Sequence, residues 1–451
     1  MEIFNKILQL FMVIFTNVVF LITIYYLVIS LFGIVRKKKV KNIEPKKTFA
    51  LIVAAHNEEN VIEGIVKSLK NLKYPKEMYD IFVIADNCTD KTAQIAKING
   101  AKVYERTNKD KKGKGYALEW MFSNIFNMKK KYDSIAIFDA DNLVSSNFLI
   151  EMNKVLMDGY KVVQGYLDSK NPYDTWITGS YSISFWASNR MIQLSRSNLG
   201  LSCQLGGTGF CVDTSILKEL GWGATCLTED LEFSCKLVLN GEKVGWAHDA
   251  IVYDEKPLTL AQSWNQRRRW MQGFADVFTR YFLKLMKKAI KERNFVAFDC
   301  ALYSIQPIMI ILLGSAMILN YYQSIAMAKN TLFNVVYMVQ TMNFTITKIG
   351  AFLLIVLQFV YMPFILVLDK KLDFKSFLYY LILPIFSITW LPISIQGILR
   401  RNDKEWSHTI HTRKVEINDL EKANWIIVKE SNFLILKIIK RLDFFKYINK
   451  S

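Results

Sequence analysis

Apolar residues form long uninterrupted runs near both ends of the chain and short runs in its middle. Four long runs contain no Asp, Glu, Lys or Arg, and each reaches the ~20 residues that a helix needs to cross a bilayer. They cover residues 7–35, 300–328, 349–368 and 376–399. The pattern predicts a membrane protein with one N-terminal span and a group of spans in the second half of the chain.

The middle of the chain alternates two other patterns. Short apolar runs predict buried strands, and apolar residues three or four positions apart predict helices between them. The strands are expected at 49–54, 80–85, 103–105 and 134–138, and the helices at 59–72, 89–98 and 116–127. Strands that alternate with helices are typical of a parallel α/β sheet, whose ligands bind beyond the carboxyl ends of the strands.

Residues 277–290 predict an amphipathic helix, with aromatic and aliphatic side chains on one side and lysines elsewhere. We interpret it as a helix in the inner membrane interface, with a core helix as the alternative. The number of later spans is open. Pro384 and Pro392 interrupt the last apolar run, and the uncharged stretch 330–347 offers an extra crossing.

Hydrophobic residues make up 51% of the 451 residues and aromatic residues 14%, and the formal net charge is +18. The basic residues cluster beside the predicted spans, at 36–41 after the first and at 267–288 before the second. Such clusters mark cytosolic loops that face an anionic leaflet. The sequence has no zinc-finger spacing, RNP-like strand or basic zipper, so a nucleic acid is not an expected partner.

These clusters also orient the chain. The first span is expected to run inward, because a basic cluster follows it. A signal peptide is the alternative for this run, but the run is long for one, and basic residues stand where a small-residue cleavage site would be expected. The tail opens with Arg400 and Arg401, which favours the cytosolic side. The expected organisation is a multi-pass cell-membrane protein with a transmembrane helix at 1–35, a cytosolic α/β domain at 36–273, an interfacial helix region at 274–298, transmembrane helices at 299–399 and a cytosolic tail at 400–451.

Acidic residues stand at the ends of the predicted strands. Asp86 ends the second strand, and Asp139 and Asp141 follow the fourth. Carboxylate oxygens are the ligands that Mg²⁺ and Mn²⁺ prefer, and such a cation neutralises a diphosphate. The pair alone is a weak signal, since Asp also favours turns and helix N-caps.

Two further motifs follow in order. Thr228-Glu229-Asp230 opens a helical pattern, and Gln266-Arg267-Arg268-Arg269-Trp270 stands shortly before the second group of spans. Together with the strand-end aspartates, these motifs resemble those of the processive family 2 glycosyltransferases, which include cellulose, chitin, hyaluronan and poly-N-acetylglucosamine synthases. The resemblance covers about residues 48–273 and implies a GT-A fold, in agreement with the α/β pattern.

The resemblance implies a role for each matching position. The nucleotide-sugar would be bound by Ala55, Glu58, Asp86, Lys114, Asp139, Gln266, Arg269 and Trp270, and the metal by Asp139 and Asp141. The catalytic base would be Asp230, with Glu229 as its neighbour, and the acceptor would lie at Gly207, Thr208 and Trp270. His248 is interpreted as structural, whereas His408 and His411 are too distant in sequence to be placed.

The reaction implied is transfer of a sugar from a UDP-sugar with inversion, dependent on Mg²⁺ or Mn²⁺. An acceptor hydroxyl that attacks opposite the departing diphosphate converts an α-linked donor into a β-glycoside, and a carboxylate suits the role of base. Arg269 would stabilise the diphosphate as a fork-like donor. Trp270 offers a flat face on which a sugar can stack.

The expected product is a linear β-glucan made from UDP-glucose and exported through the membrane helices. Poly-N-acetylglucosamine, chitin and hyaluronan-type polymers are alternatives. Transfer of one sugar to a lipid is another, because ceramide glucosyltransferases carry a similar signature. A scaffold without activity is disfavoured, since every acidic position of the main motifs is filled. The expected partners are a UDP-sugar, a growing polysaccharide and the lipid bilayer.

Overall fold

The computed structural model of the protein describes residues 2–36, 43–223, 226–327, 359–403, 411 and 413–421. Eight strands of this part of the chain form one sheet. They are β1 (Phe49–Ala55), β2 (Tyr79–Asp86), β3 (Lys102–Arg106), β4 (Ser134–Asp139), β5 (Leu143–Val144), β6 (Val162–Ser169), β7 (Phe210–Asp213) and β8 (Val244–Asp254). Their order across the sheet is β3-β2-β1-β4-β7-β6-β8-β5.

The first four strands confirm the predicted α/β core. β1 pairs in parallel with β2 and with β4, and β2 pairs in parallel with β3. The register sets Ala54 beside Ile84 and Asp139, so the carboxyl ends of three strands meet at one edge of the sheet. Side chains on both faces of the sheet are buried, which explains the nearly continuous apolar runs in the sequence.

β7 departs from the expected parallel arrangement. It lies antiparallel between β4 and β6, with Phe210 opposite both Ile137 and Gln164. Because β7 runs opposite to β4, the start of β7 lies beside the end of β4. The glycine-containing loop before β7 therefore lies beside Asp139, which a purely parallel sheet would not achieve.

Helices cover both faces of the sheet and continue beyond it. In chain order they are α1 (Glu2–Leu31), α2 (Ile62–Lys70), α3 (Thr92–Ile98), α4 (Lys114–Asn127), α5 (Phe148–Met157), α6 (Trp176–Ser188), α7 (Ser195–Leu199), α8 (Thr214–Leu220), α9 (Glu229–Leu239), α10 (Leu260–Lys291), α11 (Phe295–Ser304), α12 (Gln306–Met327), α13 (Phe359–Leu368), α14 (Phe374–Ile388) and α15 (Trp390–Leu399). A π-helical segment, Asn189–Leu194, joins α6 to α7.

α10 is longer than the sequence pattern suggested. Thr259 caps its N-terminus, because the side chain accepts a hydrogen bond from the backbone N–H of Gln262. The helix then continues unbroken to Lys291. It therefore joins the Gln266-to-Trp270 motif to the segment 277–290, and the boundary expected after residue 273 falls inside one helix.

The apolar side of the second half of α10 packs within the protein. Val277, Tyr281 and Leu285 belong to one buried cluster with residues of α9 and α11. This packing is what the core-helix alternative predicts for 277–290. Leu283 and Ile290 lie on the other side of the helix and are exposed.

Two stretches of the described residues are long and apolar enough to cross a membrane, namely Leu10–Leu31 and Phe374–Leu399. A third would arise if Phe295–Ser304 and Ile308–Leu319, which are bent by 70° relative to each other, acted as one span. These stretches overlap three of the four predicted runs. Part of the fourth run is described as α13, and 330–347 lies outside the described residues. The composition and length of these helices suit a membrane-associated protein.

Candidate active site

A cavity of about 1580 Å³ lies at the carboxyl-end edge of the sheet. Every residue that the sequence analysis assigned to the nucleotide-sugar, the metal, the base or the acceptor lines this cavity. These residues are Ala55, Glu58, Asp86, Lys114, Asp139, Asp141, Gly207, Thr208, Glu229, Asp230, Gln266, Arg269 and Trp270. Segments far apart in the sequence thus converge on one site.

The turn that carries Asp139 and Asp141 is clamped by the loop before β7. The backbone N–H of Asp139 donates to Asn142 Oδ1 at 3.1 Å and to Thr208 Oγ1 at 3.0 Å. The Thr208 hydroxyl donates in turn to Asn142 Oδ1. Behind this turn, the buried amide of Gln164 donates to the Thr208 carbonyl at 3.0 Å. The two carboxylates and the glycine-containing loop are therefore held as one unit.

Asp139 and Asp141 are a like-charge pair in different surroundings, since Asp141 is buried and Asp139 is partly exposed. Burial raises the pKa of Asp139 and the Asp141 carboxylate adds to this, whereas Lys114 opposes it. Burial acts on Asp141 in the same direction, but the charges of His411 and Lys170 outweigh it and lower the pKa of this carboxyl. A further positive charge beside this pair would reduce the repulsion between the two carboxylates.

The residues fit a Mg²⁺ or Mn²⁺ ion. A cation held by Asp139 and Asp141 would offset the burial and the mutual repulsion that raise the pKa of Asp139. Among the described residues, no group of three or more His, Cys, Asp or Glu side chains is arranged to hold a metal. Two carboxylates suit an ion of this kind, because Mg²⁺ usually keeps water and substrate phosphate oxygens as its remaining ligands.

Lys114 is a fixed cation at the centre of the acidic groups. Its Nζ donates to Asp139 Oδ1 and to the carbonyl of Gly207 at 2.7 Å. Burial lowers the pKa of Lys114, but the charges of Asp139, Glu229 and Asp230 raise it above its ordinary value. The sequence placed this lysine near the nucleotide. The structure adds that it connects a candidate metal ligand to the acceptor loop.

Glu229 and Asp230 form the first turn of α9. Asp230 Oδ1 accepts a hydrogen bond from the backbone N–H of Leu231 at 2.8 Å, which orients the carboxylate. Gly207 faces the other oxygen with a φ of +79°, and a β-carbon there would lie 3.6 Å from Asp230 Oδ2. Burial raises the pKa of Asp230. Burial and the charge of Asp230 raise the pKa of Glu229 to about 7.

One side of α10 brings Gln266, Arg269 and Trp270 into the cavity, because positions three and four residues apart share a helix face. Burial lowers the pKa of Arg269, while the charges of Glu229 and Asp139 oppose this. Gln266 Oε1 is buried and accepts no hydrogen bond from the residues that the structure describes. The Arg269 cation thus lies within electrostatic reach of the acidic groups, and Gln266 lines the same cavity.

Trp270 is more enclosed than a flat stacking platform would be. The ring centroids of Tyr181 and Phe185 lie 6.1 and 6.3 Å from its own. Trp270 nevertheless lines the cavity. Together these three rings form an aromatic corner at the C-terminal side of the Gln266-to-Trp270 motif.

The carboxylate of Asp86 already has a positively charged partner. Arg106 donates to Asp86 Oδ1, and both side chains are buried. The side-chain amide of Asn87, the next residue, donates to the same oxygen at 3.0 Å. The sequence analysis did not single out Arg106. The signal that would have found it is the parallel register, which sets the last residues of β2 and β3 side by side.

The tail reaches the cavity through His411, which the sequence analysis left unplaced. His411 Nδ1 lies 2.9 Å from Glu58 Oε1, and the backbone N–H of Arg413 donates to Glu255 at 3.1 Å. Burial lowers the pKa of His411, but Asp141 and Glu58 raise it to about 9. No local pattern predicts a contact between residues so far apart in sequence. His248 lies outside the cavity wall, as its structural interpretation requires.

The cavity extends beyond the acidic groups between α11, α12, α14 and α15. The residues of these helices that line it are Tyr303, Gln306, Ile310, Leu313, Gly314, Met317, Ser387, Ile388, Trp390 and Leu391. This described part of the wall is uncharged and largely aliphatic. Met317 and Ile388 are each 73% exposed, so the wall reaches the outer surface of the apolar helices.

A model of the glycosyltransferase-like family 2 matches residues 45–273, half of the chain. The chain belongs to this family. The glycosyltransferase therefore has a GT-A catalytic fold, as the resemblance of its motifs implied. The matched residues include every sequence-predicted site residue and end inside α10.

Two curated relatives are named for different products, a glycolipid and a polysaccharide. The glycosyltransferase is 29% identical over 258 residues to the β-monoglucosyldiacylglycerol synthase of Nostoc sp.. The aligned region covers 54% of this chain and 53% of the relative. It is 27% identical over 261 residues to the poly-β-1,6-N-acetyl-D-glucosamine synthase of Staphylococcus aureus. This aligned region covers 56% of this chain and 60% of the relative. The chain thus spans little more than half the length of the curated relatives it matches.

Solved structures support the fold of the glycosyltransferase. The mannosyltransferase of Pyrobaculum calidifontis, solved in complex with GDP-Man and Mn²⁺, superposes with a TM-score of 0.55 at 15% sequence identity. The superposition covers 87% of this chain and 100% of the other. The similarity thus extends beyond the residues that the family model matches.

Proposed function

We propose that the glycosyltransferase moves a sugar from a UDP-sugar to an acceptor hydroxyl with inversion, in a reaction that depends on Mg²⁺ or Mn²⁺. The observation that carries this proposal is the convergence of Asp139, Asp141, Asp230 and Arg269 on one cavity. Departure of a diphosphate requires positive charge, and attack by a hydroxyl requires a base. The choice of uridine rests on the motif resemblance.

At the donor end, Asp139 and Asp141 would hold the cation, which neutralises the diphosphate when bound. Arg269 would donate to the phosphate oxygens, since a guanidinium forms paired hydrogen bonds with such groups. The Mn²⁺ in the solved mannosyltransferase supports the metal requirement. The GDP-Man bound there shows that the shared fold does not select the nucleotide.

At the acceptor end, Asp230 would take the proton of the attacking hydroxyl. Its raised pKa makes the ionised carboxylate a stronger base than an exposed aspartate. The space in front of it is kept by Gly207, where a side chain would approach Asp230 Oδ2. Transfer with inversion from an α-linked donor then gives a β-glycoside.

We further propose that the acceptor is a lipid that enters from the membrane. The described wall beyond Asp230 is uncharged and aliphatic at Ile310, Leu313 and Leu391, and it reaches the exposed surface at Met317 and Ile388. Acyl chains are stabilised by such a wall, whereas a sugar polymer needs polar partners and aromatic faces. The glucosyldiacylglycerol synthase relatives are consistent with this acceptor class.

A polysaccharide acceptor, which the sequence analysis preferred, is the second candidate. The aromatic corner of Trp270, Tyr181 and Phe185 favours it, because sugars stack on aromatic rings. The relative that makes poly-β-1,6-N-acetyl-D-glucosamine also supports it. UDP-glucose remains our expected donor in either case.

Product analysis separates these candidates. Membranes containing the full chain are supplied with labelled UDP-glucose or UDP-N-acetylglucosamine, and the products are extracted with organic solvent. We expect label from UDP-glucose in an extractable lipid that carries one β-linked sugar. Label that stays in the aqueous phase and is released by β-glucanase or chitinase would support a polymer. Incorporation from UDP-N-acetylglucosamine alone would overturn the proposed donor.

We also propose that the catalytic domain and the tail lie on the cytosolic side. This placement is supported by the contacts of His411 with Glu58 and of Arg413 with Glu255, which join the tail to the catalytic domain. An even number of membrane crossings between the two is then expected. A single cysteine introduced at Lys109 should resist an impermeant thiol reagent in intact cells and react after permeabilisation. Labelling in intact cells would contradict the orientation.

A further inference from the structure

Tyr303 belongs to α11, outside the residues that the family model matches, yet it lines the same cavity as Asp230 and Trp270. The packing of α11 explains its position. Cys300 and Ala301 of this helix share a buried cluster with Leu231, the residue that follows Asp230. Tyr303 packs against that cluster and is partly exposed to the cavity.

The ring of Tyr303 is fixed from two sides. The ring centroid of Phe274 lies 5.8 Å away, and the guanidinium carbon of Arg196 lies 5.6 Å from the ring centroid. Phe274 follows Trp270 by one turn of α10, so Tyr303 stands beside the helix face that presents Trp270. Tyr303 is thus held at the junction between the acidic groups and the aliphatic wall.

Arg196 is itself held in place by a buried network. It is 1% exposed and pairs with Asp299 through two contacts, Nε to Oδ2 at 2.8 Å and Nη2 to Oδ1 at 3.0 Å. The hydroxyl of Tyr25 in α1 donates to Asp299 at 2.8 Å. Removing one partner of such a pair leaves an uncompensated buried charge. The network therefore keeps the guanidinium against the Tyr303 ring.

The hydroxyl of Tyr303 makes no hydrogen bond to any residue that the structure describes. The neighbouring tyrosines differ, since Tyr25 donates to Asp299 and Tyr26 donates to the Leu302 carbonyl at 2.7 Å. Tyr303 is only partly buried, and its hydroxyl is not a fully buried atom. A fixed ring with an unpaired hydroxyl in the cavity wall is suited to bind a polar group of a substrate.

We propose that Tyr303 is an acceptor-binding residue, an inference that rests on the proposed function. Its hydroxyl donates a hydrogen bond to an acceptor oxygen next to the attacking hydroxyl. The attacking oxygen bonds to the anomeric carbon, the bond from that carbon to the diphosphate breaks, and the proton passes to Asp230. Tyr303 keeps its own proton. Arg196 is a positioning residue that acts through the Tyr303 ring.

Partition of the donor between acceptor and water tests this inference. The full chain in membranes receives UDP-glucose with dioleoylglycerol as the acceptor probe, and UDP, free glucose and glucosylated lipid are measured. We expect Tyr303→Phe to lower lipid glucosylation about tenfold, the scale of one lost hydrogen bond, while glucose release by hydrolysis and UDP affinity stay unchanged. Tyr26→Phe, which loses a hydrogen bond beside Tyr303 but does not line the cavity, should change neither product.

The outcomes are distinguishable. Equal losses of transfer and hydrolysis in Tyr303→Phe would indicate a structural role and overturn the inference. Unchanged transfer would overturn it as well. Binding of UDP by Tyr303→Phe confirms that the variant folds. Absence of UDP release from either UDP-sugar in the unmodified chain would instead overturn the proposed function. If the unmodified chain makes polymer, the same partition between polymer and free sugar applies.

Discussion

The two ends of the cavity differ in the residues that line them: one end is rich in carboxylates, and the described wall of the other is uncharged and largely aliphatic. At the sheet edge, Asp139, Asp141 and Asp230 stand at the end of a strand, in the turn after it and at the start of a helix. Backbone N–H groups donate to the carboxylates of Asp141 and Asp230, and Lys114 donates to that of Asp139. At the opposite end, α11, α12, α14 and α15 contribute an uncharged wall with isolated polar groups such as Tyr303. Donor chemistry requires particular residue types at fixed spacing, whereas an acceptor site can be built from shape and apolar surface.

α10 connects the two ends. Its buried Arg267 donates to Thr389 Oγ1 at 2.8 Å, at the junction of α14 and α15. Its guanidinium carbon also lies 4.1 Å from the centre of the Phe386 ring. On the next turn, Gly397 of α15 lies so close that a β-carbon would come within 2.4 Å of Met271 Cβ. The helix that carries Arg269 and Trp270 is thus docked directly on the apolar helices.

Loss of the metal site should have the largest effect, because it removes charge stabilisation from the donor end. We expect activity to fall to background in excess EDTA and to return with Mg²⁺ or Mn²⁺. Asp141→Ala should lower transfer by ~10³-fold and weaken UDP binding in the presence of metal. Titration of UDP binding with and without metal measures this.

Asp254→Asn is a matched control for the metal prediction. Asp254 also lines the cavity and accepts a hydrogen bond from Lys256 at 2.8 Å, but it does not belong to the Asp139 and Asp141 pair to which the metal is assigned. This variant should keep its metal dependence. Full activity of the unmodified enzyme in excess EDTA would contradict the proposal that the charged end of the cavity works through a metal ion.

Loss of the base should come second. We expect Asp230→Asn to lower turnover by ~10²-fold or more while UDP affinity remains, since general-base catalysis contributes on this scale. Single-turnover kinetics and UDP binding separate the two quantities. Ser234→Ala, which removes a hydroxyl bonded to the Asp230 carbonyl at 2.9 Å, should have a far smaller effect. Near-normal turnover of a folded Asp230→Asn variant would exclude this residue as the base.

The contrast between the ends also explains what could be predicted from sequence. The strands ending at Asp86 and Asp139 were recognisable because they are buried on both faces and end in acidic residues. The motif at Asp230 and the one at Trp270 were recognisable from residue type and order. Each of these patterns lies within a short stretch of sequence, and the folded sheet and helices then bring the residues together.

The features that escaped prediction depend on long-range contacts. The antiparallel β7 has four residues and no distinctive pattern. α10 was divided in two because its first half is rich in Arg and Gln and its second half is amphipathic. His411 and Tyr303 reach the cavity through packing of elements far apart in sequence, and neither lies in a recognisable motif. The sheet topology and helix packing decide these positions.

His411 comes from the chain beyond the apolar helices, yet it contacts Glu58 at the proposed donor end of the cavity. We expect His411→Ala to raise the KM for the UDP-sugar about tenfold with little change in kcat, since a hydrogen-bonded cation beside the acidic groups is lost. The raised pKa of about 9 keeps this imidazole protonated at neutral pH. Initial rates across donor concentrations measure the split. Lys414→Ala, an exposed change in the same segment, should leave KM unaltered.

The smallest expected effect concerns pH. Burial and the charge of Asp230 raise the pKa of Glu229 from 4.5 to about 7. Because the folded-state pKa is raised, the contribution of Glu229 to stability is fully present below pH 4.5 and is lost as the pH rises through about 7. Activity should change in the opposite direction. An ionised Glu229 beside Asp230 disfavours a second negative charge and so strengthens the base.

We therefore expect the transfer rate to rise about threefold between pH 6 and pH 8, while the melting temperature falls over the same interval. Glu229→Gln should flatten both profiles, because the titrating group is gone. Asp254 is a second carboxyl with a raised pKa. Burial raises this pKa to about 6, although the charge of Lys256 acts to lower it. Asp254→Asn should therefore retain the change near pH 7. The opposite result, a rise that persists in Glu229→Gln and disappears in Asp254→Asn, would show that Asp254 is the titrating group. It would contradict the role given to Glu229.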